Sequence, residues 1–132
     1  MSPRILLTAF LLALTVRSSR AEGHSTKPFD RLGSAPESAR ALANPYQANP
    51  DSVRPGAKLF ARYCSECHGQ AGHRGRRGPS LESAVVQNAP AGVLFWYLTN
   101  GDLRAGMPSW SRLPEAQRWQ IATFLKAQVK GE

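Results

Sequence analysis

The chain is poor in the two sulfur-containing residues. Its 132 residues include two cysteines, Cys64 and Cys67, and two methionines, Met1 and Met107. A structural zinc site takes four ligands, usually in two well-separated pairs, so these neighbouring cysteines supply at most two of the four ligands. A disulfide between them would close a very short loop, which constrains the unfolded chain little. The position of the two thiols therefore indicates some other chemistry.

Long apolar runs are also scarce. The one clear run, Ile5–Val16, is shorter than the roughly 20 residues that a membrane-spanning helix needs. It follows a basic residue, Arg4, and precedes small residues at Ser19 and Ala21, which is the pattern of a secretory signal peptide. We expect residues 1–21 to be a signal peptide cleaved near Ala21, and the mature protein to be exported, either periplasmic or secreted.

Acidic residues are few. The chain has nine Asp and Glu and 17 Lys and Arg, which gives a formal net charge of +8. An excess of basic charge favours partners with acidic surfaces. Nucleic acid is the other usual partner of a basic protein, but the aromatic residues do not alternate with the arginines as base-stacking platforms would require. We therefore expect protein partners with acidic docking surfaces and no nucleic acid.

No stretch alternates apolar and polar residues as a strand would, and the predicted fold class is all-α. Helical signals begin near Asp51: one helix runs through the sequence VRPGAKLFARYC, a second covers Ala91 to about Thr99, and a third starts at Pro114. Asp51 or Ser52 is the expected N-cap of the first helix. Residues 51–132 are thus the predicted folded domain.

The segment before this domain has a different composition. Residues 22–50 are rich in Pro, Ser, Ala and Asn, and such a sequence buries too little apolar surface to offset its ordering entropy. We expect an arm or linker there, with a turn of helix at residues 37–42. The domain itself has a long Gly-rich loop after His68, and three short helices with such a loop form a small core. A large apolar group at its centre would explain both features.

The motif Cys64-Ser65-Glu66-Cys67-His68 suggests what that group is. A redox-active disulfide of the thioredoxin type needs a strand before the motif, and none is predicted. A zinc site would have to recruit His73 or His24 beside His68. The third interpretation is covalent attachment of haem, for which C-x-x-C-H is the signature: thiols three residues apart reach the two vinyl groups on one haem edge, and the histidine ligates the iron.

That interpretation requires a second axial ligand. Met1 is the initiator, so Met107 is the one methionine left after processing, in a Gly/Pro-containing loop between the second and third helices. His73 lies too close to His68 to reach the opposite haem face, and His24 lies in the predicted arm. Met107 is therefore the predicted sixth ligand of the iron, with His68 as the fifth.

These features resemble the class I c-type cytochromes, small exported proteins that carry electrons on a single haem. The resemblance covers roughly residues 51–128 and depends on the sequences GAKLFARYCSECHG, GPSL, GMPSW and RWQIATFLKAQ. It implies a cytochrome c fold of three to four short helices wrapped around one haem c, with Gly56 and Phe60 of the first helix facing Phe124 and Leu125 of the last. It also implies that the Pro79 carbonyl contacts the proximal histidine and that Leu81 packs on the haem.

The predicted function is one-electron transfer between exported redox proteins, without enzymatic activity of its own, because His/Met ligation fills both axial positions. Two alternatives remain open at this point. The chain could be a dedicated subunit of a periplasmic dehydrogenase complex rather than a free monomer. If the Met107–iron bond were weak, it could instead bind small ligands as a sensor or peroxidase.

Overall fold

Helices make up the regular secondary structure of the residues that the structure describes. This computed structural model describes residues 27–47 and 49–128; the predicted signal peptide and His24 lie outside them. The α-helices are α1 (Asp30–Gly33), α2 (Glu37–Arg40), α3 (Val53–Tyr63), α4 (Ser65–His68), α5 (Ala84–Asn88), α6 (Ala91–Asn100) and α7 (Glu115–Ala127). Short 3-10 helices cover Pro50–Ser52, Gln70–Gly72 and Leu103–Ala105. The predicted all-α class is confirmed.

The three longest helices, α3, α6 and α7, lie where the sequence predicts them. Helix α6 ends at Asn100 because Gly101 adopts a φ of 65°, a left-handed conformation that favours glycine. Ser52 occupies the N-cap position of α3, as expected, but its side chain makes no capping hydrogen bond. The chain enters α3 through the 3-10 turn Pro50–Ser52, where the Asn49 side chain accepts a hydrogen bond of 2.9 Å from the Asp51 amide. None of the helices between residues 27 and 128 is long and apolar enough to cross a bilayer.

Helices α3 and α7 form the central helix pair. The Phe60 ring is 1% exposed and lies 5.3 Å from the Phe124 ring, centroid to centroid. Beside them, the Gly56 backbone lies so close to α7 that an added Cβ would collide with the Gln120 carbonyl group and lie 2.9 Å from Cβ of Phe124. The absence of a side chain at Gly56 thus sets the distance between the two helices.

Replacing Gly56 with alanine should therefore push α3 and α7 apart. Forcing one extra methyl into a packed contact typically costs about 1–3 kcal/mol, and we expect a loss of that size in the free energy of unfolding, measured by chemical denaturation of the haem-containing protein. Gly33→Ala is the matched control, since nothing lies within 4 Å of a Cβ added there. Equal stabilities of the two variants would contradict the proposed close crossing.

Residues 27–47 pack on the helical body, whereas the sequence predicted an arm or linker over residues 22–50. Helices α1 and α2 both contact α6, and the expected helical turn is present as α2. Their apolar residues recur every three or four positions and lie against the body; Phe29, Leu32, Ala35 and Ala39 are each at most 9% exposed. This spacing lets a segment of low overall hydrophobicity bury its few apolar side chains. The domain boundary at residue 51 stays a prediction.

Candidate functional site

A cavity of about 680 Å³ lies at the centre of the helical body. Helices α3, α4, α6 and α7 form part of its wall, together with the loop between α6 and α7. Most of the wall is apolar, for example Phe60, Leu94, Leu98, Ile121 and Leu125. The wall also contains every cofactor-binding residue predicted from the sequence: Cys64, Cys67, His68, Pro79, Leu81 and Met107.

The two cysteines lie one helical turn apart at the junction of α3 and α4. The amide groups of Cys67 and His68 both donate hydrogen bonds to the Cys64 carbonyl, at 3.2 Å and 2.9 Å. Both thiols are free. Burial, reinforced by the neighbouring Cys67, raises the pKa of the Cys64 thiol to about 12. The junction thus holds the two thiols one helical turn apart.

The His68 ring is held in one orientation. The residue is 8% exposed, and its Nδ1 donates a hydrogen bond of 3.0 Å to the Pro79 carbonyl. Because a carbonyl oxygen can only accept, the proton lies on Nδ1, which leaves the lone pair of Nε2 available to a metal. Gly78 lies against the ring, since an added Cβ would be 2.7 Å from Nδ1. A side chain at Gly78 would displace the imidazole.

The Gly-rich loop after His68 is tied to the motif by backbone hydrogen bonds. The Gly78 amide donates to the Cys67 carbonyl at 2.8 Å, and the Leu81 amide donates to the Gly72 carbonyl at 2.9 Å. Leu81 is 7% exposed and lines the cavity. The loop thus places Pro79 against His68 and Leu81 in the wall.

Met107 is positioned by a short backbone loop. Its amide and carbonyl groups both pair with those of Asp102, at 2.9 Å and 2.7 Å. The chain that follows returns to α6, because the Ser109 hydroxyl donates to the Thr99 carbonyl at 2.6 Å and the Trp110 amide donates to the Leu98 carbonyl at 2.8 Å. These bonds hold the half-buried thioether at the cavity wall.

Sequence reasoning missed part of the wall. Pro28, Phe29 and Leu32 also line the cavity, although they lie in the predicted arm. The signal that could have found them is the spacing of three or four residues from Phe29 through Leu32 and Ala35 to Ala39, which places apolar side chains on one side of short helices. The low average hydrophobicity of the segment obscured it.

The chemistry of these side chains fits a covalently attached haem. Two thiols, an imidazole with an available Nε2 and a thioether surround one largely apolar cavity, and these are the groups by which c-type haems are attached and ligated. Within the described residues, no cluster of three or more His, Cys, Asp or Glu side chains could hold a metal ion directly. The zinc interpretation thus has no support from that part of the chain.

Comparisons with known proteins agree with this chemistry. A family model described as "Cytochrome C oxidase, cbb3-type, subunit III" matches residues 51–125. Among solved structures, cytochrome CL from the marine methylotrophic bacterium Methylophaga aminisulfidivorans is similar, with a TM-score of 0.53 and 27% identity over 62% of this chain and 58% of that chain. The chain thus corresponds to less than two thirds of cytochrome CL. No curated protein matches the sequence.

The matched segment is more than half of the chain, and it contains the C-x-x-C-H motif, the Gly-rich loop and the methionine loop. Its helices adopt the fold of a cytochrome c relative. The family's prosthetic group is a covalently attached haem c, and its members generally carry electrons. The chain therefore belongs to the c-type cytochrome family of the cbb3 oxidase subunit III model.

Proposed function

We propose that this protein is a one-electron carrier with one haem c, attached through Cys64 and Cys67 and ligated by His68 and Met107. The observation that carries the proposal is that these four side chains, which span 44 positions from Cys64 to Met107, all line one apolar cavity. A bound haem c supplies one-electron oxidation and reduction of its iron.

The residues of the chain supply orientation and exclusion of water. The Pro79 carbonyl keeps the His68 proton on Nδ1 and so directs Nε2 to the metal. The backbone pairing of Asp102 with Met107 holds the thioether in place, and Leu81 adds an apolar surface. If His68 and Met107 both ligate the iron of a bound haem, no site at the metal remains for a substrate, so we propose that the chain has no enzymatic activity.

Electron transfer partners would approach a basic surface. Arg77 and Arg104 are exposed and also line the cavity, so they mark its opening, and Arg74 and Arg76 are exposed nearby in sequence. Arg77 is paired with Glu66 at 2.7 Å, so this pair adds no net charge, and Arg74, Arg76 and Arg104 carry the positive charge of the set. We propose redox protein partners with acidic docking surfaces, met after export to the periplasm or the exterior.

The cheapest test is covalent attachment. The protein, produced with a haem-attachment system, should be red, and its haem should stay with the polypeptide in denaturing electrophoresis and in acidified acetone. Cys64→Ala and Cys67→Ala should each reduce the haem-linked signal, because one of the two thioether bonds can no longer form, and the double variant should lose it. Ser65→Ala, between the two cysteines, is the matched control and should keep it. A colourless wild-type protein would contradict the proposed function.

A second candidate is a dedicated subunit of a larger redox complex. The observation that favours it is the match to a family model of an oxidase subunit. Size measurement of the exported protein in its native extract distinguishes the two. A free carrier elutes as a monomer, whereas a subunit co-elutes with a larger redox enzyme. The subunit candidate is wrong if the native protein is monomeric at all salt concentrations.

A further inference from the structure

Three residues that precede the family-matched segment form part of the cavity wall. Pro28, Phe29 and Leu32 line the cavity, whereas the family model begins at residue 51. Phe29 is 9% exposed and Leu32 is 5% exposed. We call residues 27–32 the N-terminal wall. It is an addition to the matched domain, and it contributes apolar side chains to the cavity wall.

The N-terminal wall is fixed to the helical body rather than resting loosely on it. The Arg31 guanidinium lies 5.3 Å from the ring centroid of Trp96 on α6, within the range of a cation–π contact. Further along the same segment, the Asn44 side-chain amide donates a buried hydrogen bond of 2.8 Å to the Thr123 hydroxyl on α7. These contacts hold both ends of residues 27–47 against the domain.

The backbone of Phe29 provides an independent observation. Its φ is 71° and its ψ is 10°, the left-handed conformation that costs an L-residue about 1–2 kcal/mol. Such strain persists only where the surroundings over-determine it. Here the chain turns into α1 at Phe29, and the turn brings the neighbouring Pro28 and the Phe29 ring to the cavity together. Within the N-terminal wall, the strained residue is therefore the one that contributes an aromatic ring.

We propose that the N-terminal wall excludes water from the haem and thereby raises the reduction potential of this protein; the proposal rests on the proposed function above. The oxidised form of a haem carries one more positive charge than the reduced form. An apolar wall in place of water disfavours the more highly charged form, and burial is one of the ways in which a protein sets haem potential. Phe29 and Leu32 would act by excluding water and would not ligate the metal.

The test is the reduction potential of variants in the wall, measured by spectroscopic redox titration of the haem-containing protein. Phe29→Ala and Leu32→Ala should each lower the potential, with a threefold to tenfold shift in the oxidised-to-reduced ratio, where tenfold corresponds to about 59 mV for a one-electron couple. Phe29→Leu, which keeps apolar volume, should recover most of the shift. Leu42→Ala is the control, because Leu42 belongs to the same segment, is 47% exposed and does not line the cavity.

The outcomes separate the two proposals. A lower potential in Phe29→Ala and Leu32→Ala, with Leu42→Ala unchanged, supports the wall. Wild-type potential in both wall variants overturns it, as does an equal shift in Leu42→Ala, which would indicate general loosening of the segment. If Phe29→Ala does not fold, Leu32→Ala decides alone: a lower potential supports the wall, and the wild-type potential overturns it. A wild-type protein without covalent haem, seen before any variant is made, overturns the proposed function itself.

Discussion

Replacing His68 with alanine is expected to leave almost no folded protein. We propose His68 as the residue of the C-x-x-C-H motif that ligates the iron, and its bond to the Pro79 carbonyl also ties the Gly-rich loop to α4. If a haem could no longer be held correctly, an unfilled cavity of about 680 Å³ would cost on the order of 10 kcal/mol. That cost is comparable to the whole stability of a small domain.

The measurement is the yield of soluble protein together with its helical circular dichroism and thermal transition. His73→Ala is the matched control, since His73 is exposed, pairs with Glu82 at 2.7 Å and does not line the cavity. It should fold like the wild type. A cooperative transition in His68→Ala, close to that of His73→Ala, would show that the core does not depend on a metal-bound haem.

Met107→Ala is expected to keep the haem attached but to lower its reduction potential strongly. A thioether ligand favours the reduced iron, and its loss should shift the oxidised-to-reduced ratio about a hundredfold, or about 120 mV for a one-electron couple. The variant should also lose the weak red absorption band of sulfur ligation. It should bind imidazole at the open position, since nothing replaces the thioether.

Leu103→Ala is the control for this variant. Leu103 lies in the same loop, is 79% exposed and does not line the cavity, so its removal should change neither the potential nor the spectrum. If Met107→Ala matches Leu103→Ala in both, the sixth ligand has been misassigned. If the wild-type protein already binds imidazole as readily as Met107→Ala, the thioether bond is weak and the sensor or peroxidase alternative is favoured.

The long helices were predictable because their signals are local. Helix α7 follows Pro114 and carries buried residues at helical spacing, and α6 ends next to Gly101, whose left-handed φ stops it. At the entry to α3, the position of the cap was predictable but its hydrogen bond was not. Ser52 occupies the N-cap without a side-chain hydrogen bond, and the Asn49 side chain instead caps the preceding 3-10 turn.

The residues of the candidate site were predictable from different kinds of evidence. Cys64, Cys67 and His68 follow from a five-residue motif, and Met107 follows from the small number of methionines. Pro79 and Leu81 entered only through the resemblance to c-type cytochromes, since nothing in their own sequence signals a contact. The structure brings all six to one cavity; their binding of haem remains a prediction for the variants above to test.

The sequence alone accounts for the all-α class and for the chemistry available at the site, because helix periodicity, thiol spacing and residue scarcity are properties of the chain itself. The three-dimensional packing accounts for the cavity wall. Phe29 and Leu32 reach it from before the matched domain, and α6 and α7 provide the surfaces that residues 27–47 cover. Composition suggested an arm because it averages over the segment, whereas burial depends on which few side chains face a distant part of the chain.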